Sequence, residues 1–155
     1  IINITSVGGL VGQPFNELYC AAKFAVEGYT ESLASYVGSI FNIKFTLVEP
    51  GGIQTEFMNN AVSKTINENG ELASGAYVEI LNKYIAGTQS RAAGTDHVYQ
   101  TGKDVSKVIL GVATSEKPPL RTRTSEWAEQ LCELKTASDP DGSLLVDKVY
   151  QYFLS

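Results

Sequence analysis

Three side chains near the start of the chain have types and spacing suited to moving a proton: Ser6, Tyr19 and Lys23. Residues four apart on a helix stack on one face, about 5–6 Å between Cβ atoms, so a Lys23 ammonium would stand beside a Tyr19 phenol. A neighbouring cation favours phenolate over phenol, which suits a group that must give and take a proton near neutrality. Ser6 lies thirteen residues before the tyrosine and closes the run Ile1-Ile2-Asn3-Ile4-Thr5. That run reads as a buried strand, and Gly8, Gly9, Gly12 and Pro14 then break the pattern ahead of a helix. A hydroxyl at the carboxyl end of a strand sits where α/β proteins bind ligands. The spacing alone is weak evidence in a chain with eight tyrosines. Tyr99 and Lys103 repeat it, but across Gly102 and a helix start, where a surface pair is expected.

The first pair has company that the second lacks. Ile43 to Val48 reads as another short strand, and Glu49-Pro50-Gly51-Gly52-Ile53-Gln54-Thr55 leaves it as a loop. Ser6, Tyr19 and Lys23, followed by Pro50-Gly51 and Thr55, resemble the single-domain branch of the short-chain dehydrogenase/reductase family over about the first sixty residues. Toward the C-terminus, Pro118-Pro119-Leu120-Arg121 and Asp139-Pro140-Asp141-Gly142-Ser143 resemble the subgroup of 17β-hydroxysteroid and retinol dehydrogenases. The resemblance implies hydride exchange between NAD or NADP and a secondary alcohol or ketone, steroid- or retinoid-like in that subgroup. Tyr19 would be the acid/base, Ser6 would hold the substrate oxygen, and Lys23 would support Tyr19 and bind the cofactor ribose. Pro50, Gly51, Gly52, Ile53 and Thr55 would meet the nicotinamide, with Tyr19 and Lys23 also touching the cofactor. A homo-oligomer, dimer or tetramer, is implied through the helix that carries Tyr19.

The resemblance also sets the expected architecture: α/β, the C-terminal portion of a doubly wound parallel-sheet Rossmann domain. A complete member opens with a strand, a glycine-rich phosphate turn and several βα units, whereas Ile1 already lies inside an apolar strand. Residues 1–155 therefore read as the C-terminal part of one such domain, without the dinucleotide-phosphate turn, the selector between NAD and NADP or the family's catalytic asparagine. Within it, 56–100 is the expected substrate-lid region. A parallel sheet needs cover on both faces, so these residues alone should fold poorly.

The elements that must position the site follow from periodicity. Leu18, Ala22, Val26, Tyr29, Leu33, Tyr36 or Val37, and Ile40 recur at helical spacing from about Pro14 to Phe41, with Ala21, Ala25 and Gly28 opposite. Leu72 to about Ser90 reads as a second amphipathic helix through Ala76, Ile80, Leu81, Tyr84 and Ile85. Thr101 and Asp104 have the spacing of a capping box for a helix carrying Val105, Val108, Ile109 and Val112. Leu120 to Thr124 reads as a short edge strand whose charged alternation suits solvent. Ser125 to Thr136 is expected to pack through Trp127, Leu131 and Leu134. A last helix should be opened by Asp139 as cap with Pro140 at its first position, and buried through Leu145, Val149 and Tyr152 or Phe153.

Composition narrows the function classes. With 43% hydrophobic residues, 155 residues can bury a core. The net charge is −5 with scattered basic residues, which disfavours nucleic acid. No apolar run reaches the roughly twenty residues of a membrane span, and a cytoplasmic setting is expected. Two cysteines, Cys20 and Cys132, form no paired motif, so neither a metal nor a disulfide framework is expected. The Gly8–Gly12 turn allows a rival reading as a phosphate cradle, which the following Gln13-Pro14 fits badly. His97 reads as a loop residue or a substrate contact; the resemblance to the steroid dehydrogenases places Glu126 at the substrate mouth, and a solvated carboxylate in a helix's first turn explains it equally well. Two alternatives stay open: a nonenzymatic NAD(P)-sensing or scaffold member of the same fold, and a nucleotide-sugar epimerase or dehydratase. The latter carries no Pro-Gly-x-x-x-Thr.

Overall fold

The computed structural model describes residues 1–63, 75–94 and 99–154. Three short strands, β1 (Ile2–Ile4), β2 (Thr46–Glu49) and β5 (Arg121–Arg123), form a parallel sheet in the order β1-β2-β5. Ile2 lies opposite Thr46 and Leu47 opposite Arg121. The ladder runs on past β1, where the Thr5 amide donates to the Val48 carbonyl at 2.8 Å and the Val7 amide to that of Pro50 at 3.0 Å. Ser6 is therefore carried alongside the Pro50 turn by the sheet itself.

Two apolar clusters flank the central strand. Phe45 and Leu47, two apart and on one face, pack with Leu120 against Val26, Leu33 and Val37 of the first helix and Val146 of the last. Val7, Ala128 and Cys132 form a second cluster with Leu10, Val11 and Trp127. Burying a Leu or Phe side chain contributes about 1.5–3 kcal/mol, and all of β2 is buried, so Leu47 anchors the first cluster. At the other edge β1 pairs with β2 alone, and Ile1 and Ile4 are exposed.

The first helix, α1 (Glu17–Leu33), starts three residues later than the periodicity suggests. Phe15 sits at φ 59°, a left-handed conformation that a helix cannot include. Wider π-type turns over Ala34–Gly38 and the short α2 (Ser39–Phe41) continue it to Asn42, whose φ of 52° ends it. Only part of the expected stripe is covered: Val26, Leu33 and Val37 pack inward, while Leu18, Ala22, Tyr29 and Ile40 are exposed. The buried positions of α1 are Cys20, Glu27 and Thr30, two of them polar, which shifts the inward face away from the apolar periodicity. Ala21, Ala25 and Gly28 are exposed as well.

Between the second and last strands lie β3 (Gly52–Ile53), α3 (Phe57–Ser63), α4 (Val78–Ala93) and β4 (Tyr99–Gln100). The parallel pairing of β3 with β4 has no counterpart in the sequence reading. Leu72 and His97 lie outside the described residues, as does much of the 56–100 region. Next, α5 (Gly102–Thr114) has the expected capping box, Thr101 bonding the Asp104 amide and the Asp104 carboxylate returning to the Thr101 amide. The Thr101 hydroxyl, which also donates to the Asp104 carboxylate, and then the Thr101 amide hold that carboxyl below its ordinary range.

Three expectations near the C-terminus are corrected. β5 does not show its charges to solvent: Arg123 is buried and Arg121 nearly so, because both guanidiniums are paired with carboxylates. In α6 (Glu126–Thr136), Leu134 is 99% exposed and Leu131 is exposed, whereas Ala128, Cys132 and Thr136 are buried. The small residues allow the helix to lie close on Val7, and the large leucines are left outside. In α7 (Ser143–Leu154), Val146 packs on the core while Leu145, Tyr152 and Phe153 are exposed. Asp139 does cap this helix, accepting from the Leu144 and Leu145 amides at 3.3 and 2.8 Å, but across a four-residue turn, so Pro140 is not its first residue.

Candidate active site

Ser6 is extended and buried, and its Oγ accepts from the Gly8 amide at 3.0 Å and donates to the Pro50 carbonyl at 3.4 Å. One turn of 3₁₀ helix, Val7–Gly9, follows. Gly8 has no side chain, and one there would meet Tyr19 Cε1 at 2.9 Å and Ser6 Oγ at 3.5 Å. The ring edge next to the phenol oxygen and the serine hydroxyl thus border the same gap.

The two line one cavity of about 280 Å³. Its wall includes Gly51, Gly52, Ile53 and Thr55, four of the five residues expected beyond the second strand. Pro50 is buried behind that wall, its carbonyl taken by Val7 and Ser6. Lys23 also stands behind: its Nζ donates to the Ile4 carbonyl at 3.1 Å and lies 5.8 Å from the Tyr19 ring centroid, within cation–π range. The structure thus brings Ser6, Tyr19, Gly51, Gly52, Ile53 and Thr55 to one surface and places Lys23 and Pro50 in support.

The glycines of the wall have a local reason. A side chain on Gly51 would strike Trp127 Cε3 and Cζ3 at 2.9 Å, and one on Gly52 would meet the Tyr99 ring at 3.0 Å. Aromatic rings of the chain itself lie flat against this backbone, and both also line the cavity. Tyr99 is thereby corrected from surface residue to wall residue. Burial pushes its phenol up from the ordinary range, against a smaller opposing pull from Arg91. Glu126 is exposed and does not line the cavity; its neighbour Trp127 does.

Residues that sequence reasoning missed complete the enclosure. Asn16 donates to the Tyr84 hydroxyl at 2.7 Å, joining the start of α1 to α4, and the Phe15 and Tyr84 rings lie 5.5 Å apart. Phe57 stands 5.7 Å from the Tyr19 ring. Asn16 could have been noticed as one turn before Tyr19, but nothing in the spacing links Trp127 or Tyr84 to it. A second cavity of about 360 Å³ shares Asn16, Tyr19, Phe57 and Tyr84 with the first and adds Leu18, Leu81 and Ile85.

The phosphate-cradle reading of Gly8–Gly12 fails on hydrogen bonds. The Gly8 amide is taken by Ser6 Oγ, that of Gly9 by the Ser6 carbonyl, and those of Leu10 and Val11 by the Val7 carbonyl. Donors already spent on the turn have nothing left for an anion.

Behind the wall lies a charged cluster. The register sets Arg123 beside Glu49, and Arg123 Nη1 meets Glu49 Oε2 at 3.2 Å. Arg121 Nε meets Glu27 at 3.2 Å and Glu49 Oε1 at 3.5 Å, while its Nη2 reaches Glu31 at 2.6 Å. Arg123 Nε also pairs with Glu129 at 2.7 Å. The Thr5 hydroxyl donates to Glu27, and a side chain on Gly9 would strike Glu27 Cγ at 2.9 Å. The cluster therefore ties the Ser6 turn, the Pro50 turn and β5 together. Among the described residues no group of three histidines, cysteines or acids could hold a metal ion, and no helix is long and apolar enough to cross a membrane.

A parallel α/β sheet whose carboxyl edge opens into a cavity bearing a serine and a tyrosine defines a class of ligand-binding α/β proteins. Comparison with known proteins narrows the class: residues 1–66 match the family model described as short chain dehydrogenase. It is 41% identical over 149 residues to retinol dehydrogenase 8 of Bos taurus, covering 94% of this chain and 46% of that protein. It is 32% identical over 146 residues to 17-beta-hydroxysteroid dehydrogenase type 1 of Homo sapiens, covering 94% of this chain and 43% of that one. Both are of the subgroup that the C-terminal motifs resemble. The chain spans about half the length of the curated relatives it matches. A solved short-chain dehydrogenase from Streptomyces avermitilis superposes with a TM-score of 0.61 at 22% identity, over 98% of this chain and 51% of that one, and supports the fold.

Proposed function

We propose that this site exchanges a hydride between a nicotinamide dinucleotide, NAD or NADP, and a secondary alcohol or ketone. The observation that carries the reading is the shared cavity of Ser6, Tyr19 and the Gly51–Thr55 wall. At about 280 Å³ it lies just below the usual range of ligand cavities, about 300–1,000 Å³. It has room for one flat ring and a reacting carbonyl rather than a whole dinucleotide, so the residues present fit the reactive end of the cofactor. Gly51, Gly52, Ile53 and Thr55 would hold that end, and the cofactor, when bound, supplies the hydride.

The chain's own groups do the rest. The Tyr19 phenol gives its proton to the carbonyl oxygen in reduction or takes one from the alcohol in oxidation. Ser6 Oγ is already fixed by the Gly8 amide, so its hydroxyl stabilises the developing charge on that oxygen with little reorganisation. Lys23, anchored on the Ile4 carbonyl behind the ring, holds a positive charge where the phenol loses its proton. Phe57 and Trp127 add apolar surface to the wall. The neighbouring apolar cavity, with Leu18, Leu81 and Ile85, supports a lipophilic substrate of steroid or retinoid type. Assembly as a homo-oligomer belongs to the same proposal and is supported by the exposed face of Leu18, Ala21, Ala25 and Tyr29 on α1.

The test is oxidation of NADH and NADPH by the full-length protein against a panel of aliphatic, steroid and retinoid ketones and aldehydes. Turnover with at least one lipophilic member is expected. No oxidation with any of them, at enzyme concentrations where both cofactors bind, would favour the nonenzymatic reading.

A further inference from the structure

One residue of the cavity wall plays no part in the reading above. Arg91 is the only charged side chain lining the cavity among the described residues. It belongs to a polar stripe of α4, since Tyr84, Thr88 and Arg91 recur at spacings of four and three and so share a face, which all three turn to the cavity. Thr88 is buried; its hydroxyl donates to the Tyr84 carbonyl at 2.9 Å and accepts from Arg91 Nη2 at 3.1 Å. The guanidinium therefore folds back along the helix toward Tyr84. It passes over Gly87, where a side chain would meet Nη1 at 3.3 Å.

That positioning has a chemical consequence. The partner of Arg91 is a neutral hydroxyl, and among the described residues no carboxylate pairs with it. The other arginines of the sheet region, Arg121 and Arg123, are each paired with carboxylates. A guanidinium presents five N–H donors in a planar fork that matches a carboxylate or phosphate, and one bond to Thr88 leaves most of that fork unused. The charge reaches the other aromatic wall as well, since it opposes the upward shift of Tyr99.

We infer that the molecule bound in this cavity carries an anionic group, a carboxylate or a phosphate, and that Arg91 receives it on the α4 wall. The guanidinium, folded back over Gly87 to Thr88, shares the α4 wall with Tyr84, whose hydroxyl accepts from Asn16 at the start of the Tyr19 helix. The inference rests on the reading that Ser6 and Tyr19 hold the reacting oxygen, and it adds the recognition of the ligand's anionic group. The anion would be either the substrate's carboxylate or a phosphate of the dinucleotide.

The experiment uses the full-length protein and a series of (ω−1)-hydroxyalkanoates of rising chain length, each set against the 2-alkanol of the same length. Binding is read from the fluorescence of Trp127, a cavity wall residue, against a Trp127→Phe control. Turnover is read separately by NAD(P)H formation. At the best chain length the acid should bind about tenfold tighter than the alcohol, in keeping with a charge-assisted hydrogen bond. The ratio should fall toward one in Arg91→Gln, persist in Arg91→Lys and shrink with added salt. Loss of NADH or NADPH affinity in Arg91→Gln, with acid and alcohol equal throughout, would assign the anion to the cofactor's phosphate. Equal binding of acid and alcohol combined with unchanged dinucleotide affinity in Arg91→Gln would overturn the inference, as would an acid preference that survives that variant. The expected binding ratio without turnover of any alcohol would leave the anion site standing and remove the hydride-transfer reading.

Discussion

Replacing Glu49 by glutamine removes one ionisable proton from the interior and keeps the outline of the side chain. Glu49 is 0% exposed and meets Arg123 at 3.2 Å and Arg121 at 3.5 Å, a setting that by itself favours the carboxylate. Four carboxylates, those of Glu27, Glu31, Glu49 and Glu129, share those two guanidiniums, so full ionisation would leave an excess of negative charge inside. The most buried acid takes the proton, and its Oε1 has no aligned hydrogen-bond donor. Burial first, then Glu27, push the Glu49 carboxyl from 4.5 up to about 8, against the pull of Arg123 and Arg121. A folded-state pKa above the unfolded one means that the folded chain binds this proton more tightly. The stabilisation is complete below about pH 4.5 and is lost as pH rises through about 8. At about 1.4 kcal/mol per unit the full shift corresponds to about 5 kcal/mol. Because Arg123 and Arg121 offset part of the burial, a loss of roughly 2–5 kcal/mol is expected, a large fraction of an ordinary domain's stability. Urea unfolding of the full-length protein and of Glu49→Gln, at steps between about pH 5 and 9, isolates the effect, because the other titrations are common to both. The stability of the parent relative to the variant should fall with pH, most steeply between about 5.5 and 7, and level off above about 8. A difference that is flat or rises with pH would show that Glu49 is already ionised in the folded protein and would refute the reasoning.

Two further outcomes follow from close contacts. Gly51→Ala sets a methyl group 2.9 Å from the Trp127 ring and should cost about 1–3 kcal/mol of stability while shifting the tryptophan emission; an unchanged spectrum would place the ring elsewhere. Cys132 is fully buried, and burial followed by the charge of Glu49 pushes its thiol up to about 11, so near pH 8 a maleimide should label it only as fast as the chain opens. Rapid labelling of a Cys20→Ser variant would contradict that burial.

What the sequence disclosed were the features governed by local rules. The Ser6 strand end, the Tyr19 helix, the Pro50 turn and the Thr101 capping box each rest on neighbours within a few residues, and the structure shows all four. Residues whose placement depends on distant partners were misread. Arg121 and Arg123 read as solvent charges on an edge strand because Glu27 and Glu49, which neutralise them, lie more than seventy residues away. Leu131 and Leu134 read as core because apolarity was counted without size. At the approach of α6 to Val7 there is room only for Ala128 and Cys132. Tyr99 was set aside by the same spacing rule that singled out Tyr19, since its role comes from β4 pairing with a two-residue β3 too short to be seen in periodicity. Arg91, in the last turn of α4, gave no signal beyond being a cation.

The central claim is that the Tyr19 phenol exchanges the substrate's proton. In the full-length protein, Tyr19→Phe keeps the ring that packs beside Gly8 and Phe57 and removes only the oxygen. Steady-state turnover of the best ketone, measured together with NAD(P)H binding, should fall by about 10²–10⁴-fold while the dinucleotide still binds with its original affinity. Turnover within a few-fold of the parent, with the cofactor bound, would contradict the assignment.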